Sequence, residues 1–516
     1  MNYRLTSAAT AVALALTGVA IPTAHAQQDA KDTLRVGMYS KSVPRGNVYA
    51  IQNIWPSMFW WESVFDSFVR VDENAKTVPH AAEKWELVNP TTWRLTFRKD
   101  VTFSSGRTND AANIVKVFDY LSTEKGRITN IMQTVKIVSY KAVDSHTVEF
   151  VTATPDPLLI PKFAQFYVGD MQAFEELGPE GFGSNPVGSG PYKVTSWNDQ
   201  QMIGVPNEKS WRPGKAKNIR IVELPEPSAR LAALESGQVD MIINMGPDDV
   251  PRIRAAGNQA IVDPAPNIIS MATFTVDFAN RWPNLNGKTP FADKRVRQAV
   301  NYAVNREAMT QDFFKGLVKP ASQPASPLTF GYNPDVKPHA YDPVKAKQLM
   351  VEAGYPNGFS LVMEPVPANF IGGNEILQIM AADLSKIGIK LEILPQPFAT
   401  WSQLYNQRKW NGEMTNFSMI LAPVMDASVP FQATYGCNLQ RTFTCIEELN
   451  PLIAAQAVEM DPKKREVLLK ELMKKSAEEE LSIMLFEGID ITGVAKRVKG
   501  FKQVNRIIHY DALSID

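Results

Sequence analysis

Apolar residues recur along this chain with two periods, one near 3.6 and one near 2. The clearest helical run is FADKRVRQAVNYAVNRE, Phe291 to Glu307. Val296, Ala299, Val300, Ala303 and Val304 fall at i, i+3, i+4, i+7 and i+8, a single apolar stripe. Asp293 is placed to accept from the orphan amides of the first turn. Lys294, Arg295, Arg297, Gln298 and Asn301 take the wet side. Asn305 ends this helix and can cap a second one through Met309 and Phe313 to Gly316. The pattern predicts a helix packed on a core.

The period-2 runs predict strands. Thr33 to Ser40 alternates Leu34, Val36 and Met38 inward. Around His80 to Leu121, WELV and TWRLTFR flank a turn at Asn89-Pro90, and a helix starts near Asp110. Ser139 to Thr152 is a further hairpin around Asp144-Ser145. In NPVGSGPYKVTSWN, Gly188 and Gly190 predict a turn whose backbone angles other residues resist, followed by a strand. Pro227 to Met245 reads as a helix stopped at Gly237 and a strand, VDMII; Met271 to Arg281 is another strand. Thereafter helices and strands alternate: a helix from Asp342-Pro343 to Gly354, FSLVMEPV, a helix from Asn374 to Lys386, IKLEIL, WSQLYNQRKW and FSMILAPV. Asp461 to Glu480 is a long charged helix with Val467, Leu468 and Leu472 as its packed stripe, before LSIMLFEG. Such alternation argues α/β sheets.

The chain's 516 residues exceed what one core supports and suggest about three domains. With 44% apolar and 21% charged residues the composition is that of a folded globular protein. Lys+Arg and Asp+Glu balance at 54 each, so no basic field invites nucleic acid. The first residues read as a secretory signal: Arg4, an apolar run from Ala8 to Ala20, and Ala24-His25-Ala26 for cleavage, with no following Cys to carry a lipid anchor. Residues 1–26 are therefore expected to be removed. Cys437 and Cys445 are the two cysteines; they would pair in an oxidising compartment or stand as two reduced loop thiols.

Enzymatic motifs give little. His80, His146, His339 and His509 are scattered without metal-ligand spacing, and HExxH, GxSxG, dinucleotide and P-loop motifs are absent. Ser122 to Lys125 matches SxxK without the companion elements of penicillin-recognising enzymes. No cofactor or metal is expected.

The wording of Phe291 to Glu307 closely resembles the signature helix of the family 5 solute-binding proteins of ABC importers, and His80 to Leu121 and Asn185 to Asn198 resemble the same family in the same order. The resemblance implies an α/β, two-lobed periplasmic-binding-protein (Venus flytrap) fold of the large three-domain type, with mixed sheets flanked by helices. It divides the chain into domain I (30–70, 186–270 and 486–516), domain II (71–185) and domain III (271–485), LSIMLFEG and the tail from Phe501 to Tyr510 returning to the first lobe. It implies a Cys437–Cys445 disulfide, worth ~2.5 kcal/mol at most for so short a loop. It also implies partners: a peptide or peptide-like small solute held between the lobes, and an ABC permease and ATPase complex in the inner membrane. The protein would be a periplasmic monomer that performs no chemistry; the alternative is a secreted hydrolase of a similar solute.

The candidate ligand contacts are Tyr39, Trp55, Trp60, Asp277, Trp401, Tyr405 and Asp426. The loop after the first strand forms a cleft rim in the family, and its rings Trp55, Phe59 and Trp60 are divided between cleft and core. Trp401 and Tyr405 share a helix face, which suits a core equally. Asp426 matches the acid that pairs with a peptide α-amino group in peptide-binding members, although Ala422-Pro423 replaces the glycine-tryptophan before it; a loop cap is its plainer role. The Arg that dipeptide-binding members carry is missing from Pro365 to Phe370, so a carboxylate clamp must come from elsewhere.

Overall fold

The computed structural model describes residues 31–42, 45–50, 55–123, 135–263, 266–274, 289–365, 373–407, 412–437 and 444–516. The expected signal segment lies outside them. Among the described residues no helix is long and apolar enough to cross a membrane.

Two sheets organise the chain. The first has seven strands in the order Tyr192–Trp197, Gln201–Pro206, Asn218–Glu223, Thr33–Met38, Met241–Ile242, Ile491–Val494, Gln259–Val262. Thr33–Met38 runs parallel to both its neighbours, and its alternation buries Leu34, Val36 and Met38 as the period requires. The second has six, in the order Lys319–Pro320, Ser482–Gly488, Ile268–Phe274, Met414–Ile420, Phe359–Met363, Ile389–Ile393. A separate antiparallel sheet of four strands, built from the two expected hairpins, stands beside the first.

The helix after the second sheet's outgoing strand forms as its pattern predicts. Asp293 caps Lys294–Ala303 by accepting from Arg295 N–H, and Val296, Ala299, Val300 and Ala303 are buried. Two residues assigned to its wet side are buried instead. Arg297 donates to the carbonyls of Phe291 and Glu479, and Asn301 donates to Glu480 and accepts from Arg306. Buried polar groups persist only with such partners. The long helix Pro462–Glu478 also turns a different face inward: Arg465, Leu469, Leu472, Met473 and Ser476 are buried, while Val467 is exposed. Arg465 belongs to the inner stripe because a buried acid waits for it. Asn450–Val458 is a helix whose sequence shows no strong period to announce it. LSIMLFEG is a strand of the second sheet and the chain returns to the first only after Gly488.

Gly188 and Gly190 are needed for proximity, not for unusual backbone angles. A Cβ on Gly188 would meet Val64 O at 2.0 Å and one on Gly190 would meet Val64 C at 2.5 Å, and neither has a positive φ. Their backbones pack flat on Val64 to Phe65, with Gly190 N–H donating to Val64 O. Beneath lies Asp66, which accepts from Arg212, Ser189 and Trp211 and pairs with His80. Gly190→Ala is therefore expected to cost ~1–3 kcal/mol or more by overpacking, read from the urea midpoint at unchanged m-value.

Candidate ligand cleft

The chain passes between the two sheets twice, and the two passages lie side by side. On the first-sheet side Val262 pairs with Ile491; on the second-sheet side Ile268 pairs with Gly488, both antiparallel. Between these pairs Asp263 N–H donates to Asp490 O at 2.9 Å. Asn267 Nδ2 reaches Asp263 Oδ2 at 3.3 Å and Asp490 Oδ2 at 3.5 Å.

Arg506 completes this junction from the C-terminal segment. Its Nε lies 3.2 Å from Asp490 Oδ2, and its guanidinium sits 4.7 Å from the Trp55 ring and 5.5 Å from the Phe59 ring. Asn505 and Arg506 are the two residues of a hairpin joining Gln503–Val504 to Ile507–Ile508, with φ of 47° and 69°. Both central positions of such a turn need positive φ. Arg at the second pays about 1 kcal/mol of backbone strain, and gains a buried carboxylate and two aromatic faces.

Tyr39 and Trp55 meet here around Phe59, with ring centroids 6.3 Å and 5.1 Å from it. Tyr39 shares a hydrogen bond with Arg506, and burial pushes its hydroxyl up to about 12. Trp60 turns the other way: it is 1% exposed, stacks on Trp197 at 5.9 Å and donates to Ser40 O. Trp401 is buried on helix Phe398–Gln407 in the second lobe. Asp277 and the Tyr405 side chain lie outside the described residues. Asp426 is buried in the second lobe in a two-pronged pair with Arg465, at 2.6 and 2.9 Å, and also accepts from Ser428. The structure thus gathers Tyr39 and Trp55 at the junction and gives Asp426 an internal partner. The expected cysteine pair forms a Cys437–Cys445 disulfide.

One buried apolar set runs from Met38 and Phe59 of the first lobe to Ile269, Met271, Met419 and Met484 of the second. The opposite face of the second sheet, with Ala272, Phe274, Ile483 and Leu485, packs with the Lys294–Ala303 helix. Glu487 pairs in register with Ile269 and Lys319, so it belongs to the face turned towards the first lobe. Arg506, Asp490, Asn267 and Glu487 carry no sequence motif; only the Asn-Arg pair between two short apolar runs hints at a turn.

Residues 76–438 match the family model described as bacterial extracellular solute-binding proteins, family 5 Middle. The chain is a family 5 solute-binding protein. Among similar curated proteins is the glutathione-binding protein of Escherichia coli O1:K1, 28% identical over 339 residues, 64% of this chain and 64% of that one. The match thus spans less than two thirds of that relative's length. Among solved structures, this family 5 chain is similar to the ABC transporter substrate binding protein CtaP from Listeria monocytogenes, with a TM-score of 0.80, 18% identity and coverage of 94% and 99%. The periplasmic binding protein DppA from Helicobacter pylori, in complex with peptide STSA, has a TM-score of 0.75, 19% identity and coverage of 95% and 99%. These structures share the two-lobed α/β fold.

Two predictions follow from the buried acids. Asp426→Ala is expected to lower the unfolding free energy by ~3–5 kcal/mol, because it strands Arg465 as a buried charge. Asp426→Leu with Arg465→Met should recover most of that loss in urea titrations. For Glu487, burial pushes the carboxyl up to about 7 from 4.5, with Lys319 pulling it down. The folded state then keeps a proton that the unfolded chain has lost, so stability falls as pH rises from 4.5 to 7 and stays reduced above. Glu487→Gln should remove that fall, its gain over the parent vanishing near pH 4 and reaching at most about 3 kcal/mol near pH 8.

Proposed function

We propose that this protein is the substrate-binding component of an ABC importer. It captures a peptide or peptide-like solute between its two lobes and delivers it to the permease and ATPase complex of the inner membrane. It works in the periplasm after removal of residues 1–26, as a monomer, and returns the solute chemically unchanged. The observation that carries this reading is the double passage at 262–268 and 488–491, in a chain whose residues 76–438 match solute-binding proteins. Two lobes joined by a narrow pair of strands can close on a solute that touches both, because contacts made only in the closed state favour it. The peptide in the DppA complex and the glutathione named for the curated relative support a peptide-like solute.

The test is a solute screen on the mature chain, by thermal unfolding, with small-angle scattering on every hit. A true ligand at a hundred times its Kd should stabilise by about 2.7 kcal/mol, shrink the radius of gyration and be recovered intact by mass spectrometry. A ligand that binds without any change in scattering, or emerges altered, overturns the reading.

A further inference from the structure

The buried acids of this chain can be sorted by what holds them. Glu62 meets Arg70, Asp66 meets Arg212, Asp170 meets Arg107 and Asp240 meets Arg35 and Arg497. Glu149 meets Arg94, Asp383 meets Lys386, Glu480 meets Asn301 and His339, and Glu364 accepts from Gln396. At the junction Asp490 meets Arg506 and Asp263 meets Asn267, and in the second lobe Asp426 meets Arg465. Among the described residues Glu487 is the buried acid left without a hydrogen bond or ion pair, although it is only 8% exposed. A buried carboxylate in that condition is costly. Lys319, its neighbour in register, acts on it only through its field, and Tyr332 is the other titratable group whose field it shares.

Its position gives the cost a use. Glu487 stands one residue before the returning strand ends at Gly488, on the sheet face that joins the first lobe, with Ile269 beside it. The acid that peptide-binding members aim at an amine corresponds here to Asp426, which Arg465 already occupies from both oxygens. Resting on the receptor reading above, we propose that Glu487 is the residue that anchors a protonated amine of the solute. The solute class is then a cationic-amine compound whose ammonium reaches the junction between the lobes while its body lies against the apolar face of Ile269, Met271 and Met419. An ammonium supplies the missing donors and charge, and it does so only when the lobes enclose it.

The experiment compares the mature protein with Glu487→Gln, an isosteric change that leaves the backbone ladder intact. Both are screened at pH 8 by thermal shift and calorimetry against tri-alanine, tetra-alanine, putrescine and lysine methyl ester, and against the N-acetylated form of each. The proposal expects at least one free amine to bind, to lose tenfold or more in affinity on acetylation, and to lose tenfold or more with Glu487→Gln, the range for a charged hydrogen bond. Equal binding by the variant overturns it, as does a panel in which no free amine binds. Binding by acetylated peptides alone rejects the amine anchor while sustaining the receptor reading. Silence from every solute counts against both.

Discussion

Everything in this architecture depends on two antiparallel strands that leave one sheet and enter another side by side. Because they pair on both sides of the gap, at Val262 with Ile491 and at Ile268 with Gly488, the passage is narrow and its direction is fixed. Between those pairs Asp263 donates its N–H to Asp490 O, and the Asn267 side chain reaches the carboxylates of both. Arg506 then ties the C-terminal hairpin to the same few residues, so Trp55 and the double passage are one packed unit.

Many charged side chains are buried, although Lys+Arg and Asp+Glu balance at 54 each over the whole chain. Most of the buried carboxylates are held by guanidinium groups, several of them from distant parts of the chain, as Arg212 holds Asp66 and Arg497 holds Asp240. Planar, two-pronged donors suit buried acids better than ammonium groups do. Such pairs contribute modest net stability but make wrong packings expensive, since any misplacement leaves a charge alone. They knit segments hundreds of residues apart where apolar packing alone would tolerate slippage.

Much of the fold was legible in the sequence because its elements announce themselves locally. Asp293, Asp110 and Asp342 cap the helices that follow them, and Gly237, Gly354 and Gly388 stop theirs at positive φ. The errors came where burial is decided by a distant partner. Arg297 and Asn301 look solvated until the turn at Glu479 and Glu480 is brought over them. Arg465 displaced Val467 from the inner stripe because Asp426 needed a counter-charge. For the cleft, the rings Trp55, Phe59 and Trp60 were visible, but which of them face the junction depends on Arg506, more than four hundred residues later. Trp55 and Trp60 are alike in sequence and opposite in environment for that reason.

The order of strands in the first sheet has a kinetic consequence. Ile491–Val494 is inserted between Met241–Ile242 and Gln259–Val262, and Arg497 braces the first strand through Asp240. Ile491–Val494 is the last of that sheet's strands in chain order, so the first sheet cannot be completed until every strand of the second has been made. Pairings of such long sequence separation form slowly. A nascent chain of this topology stays open to threading for longer than one whose first domain closes on itself.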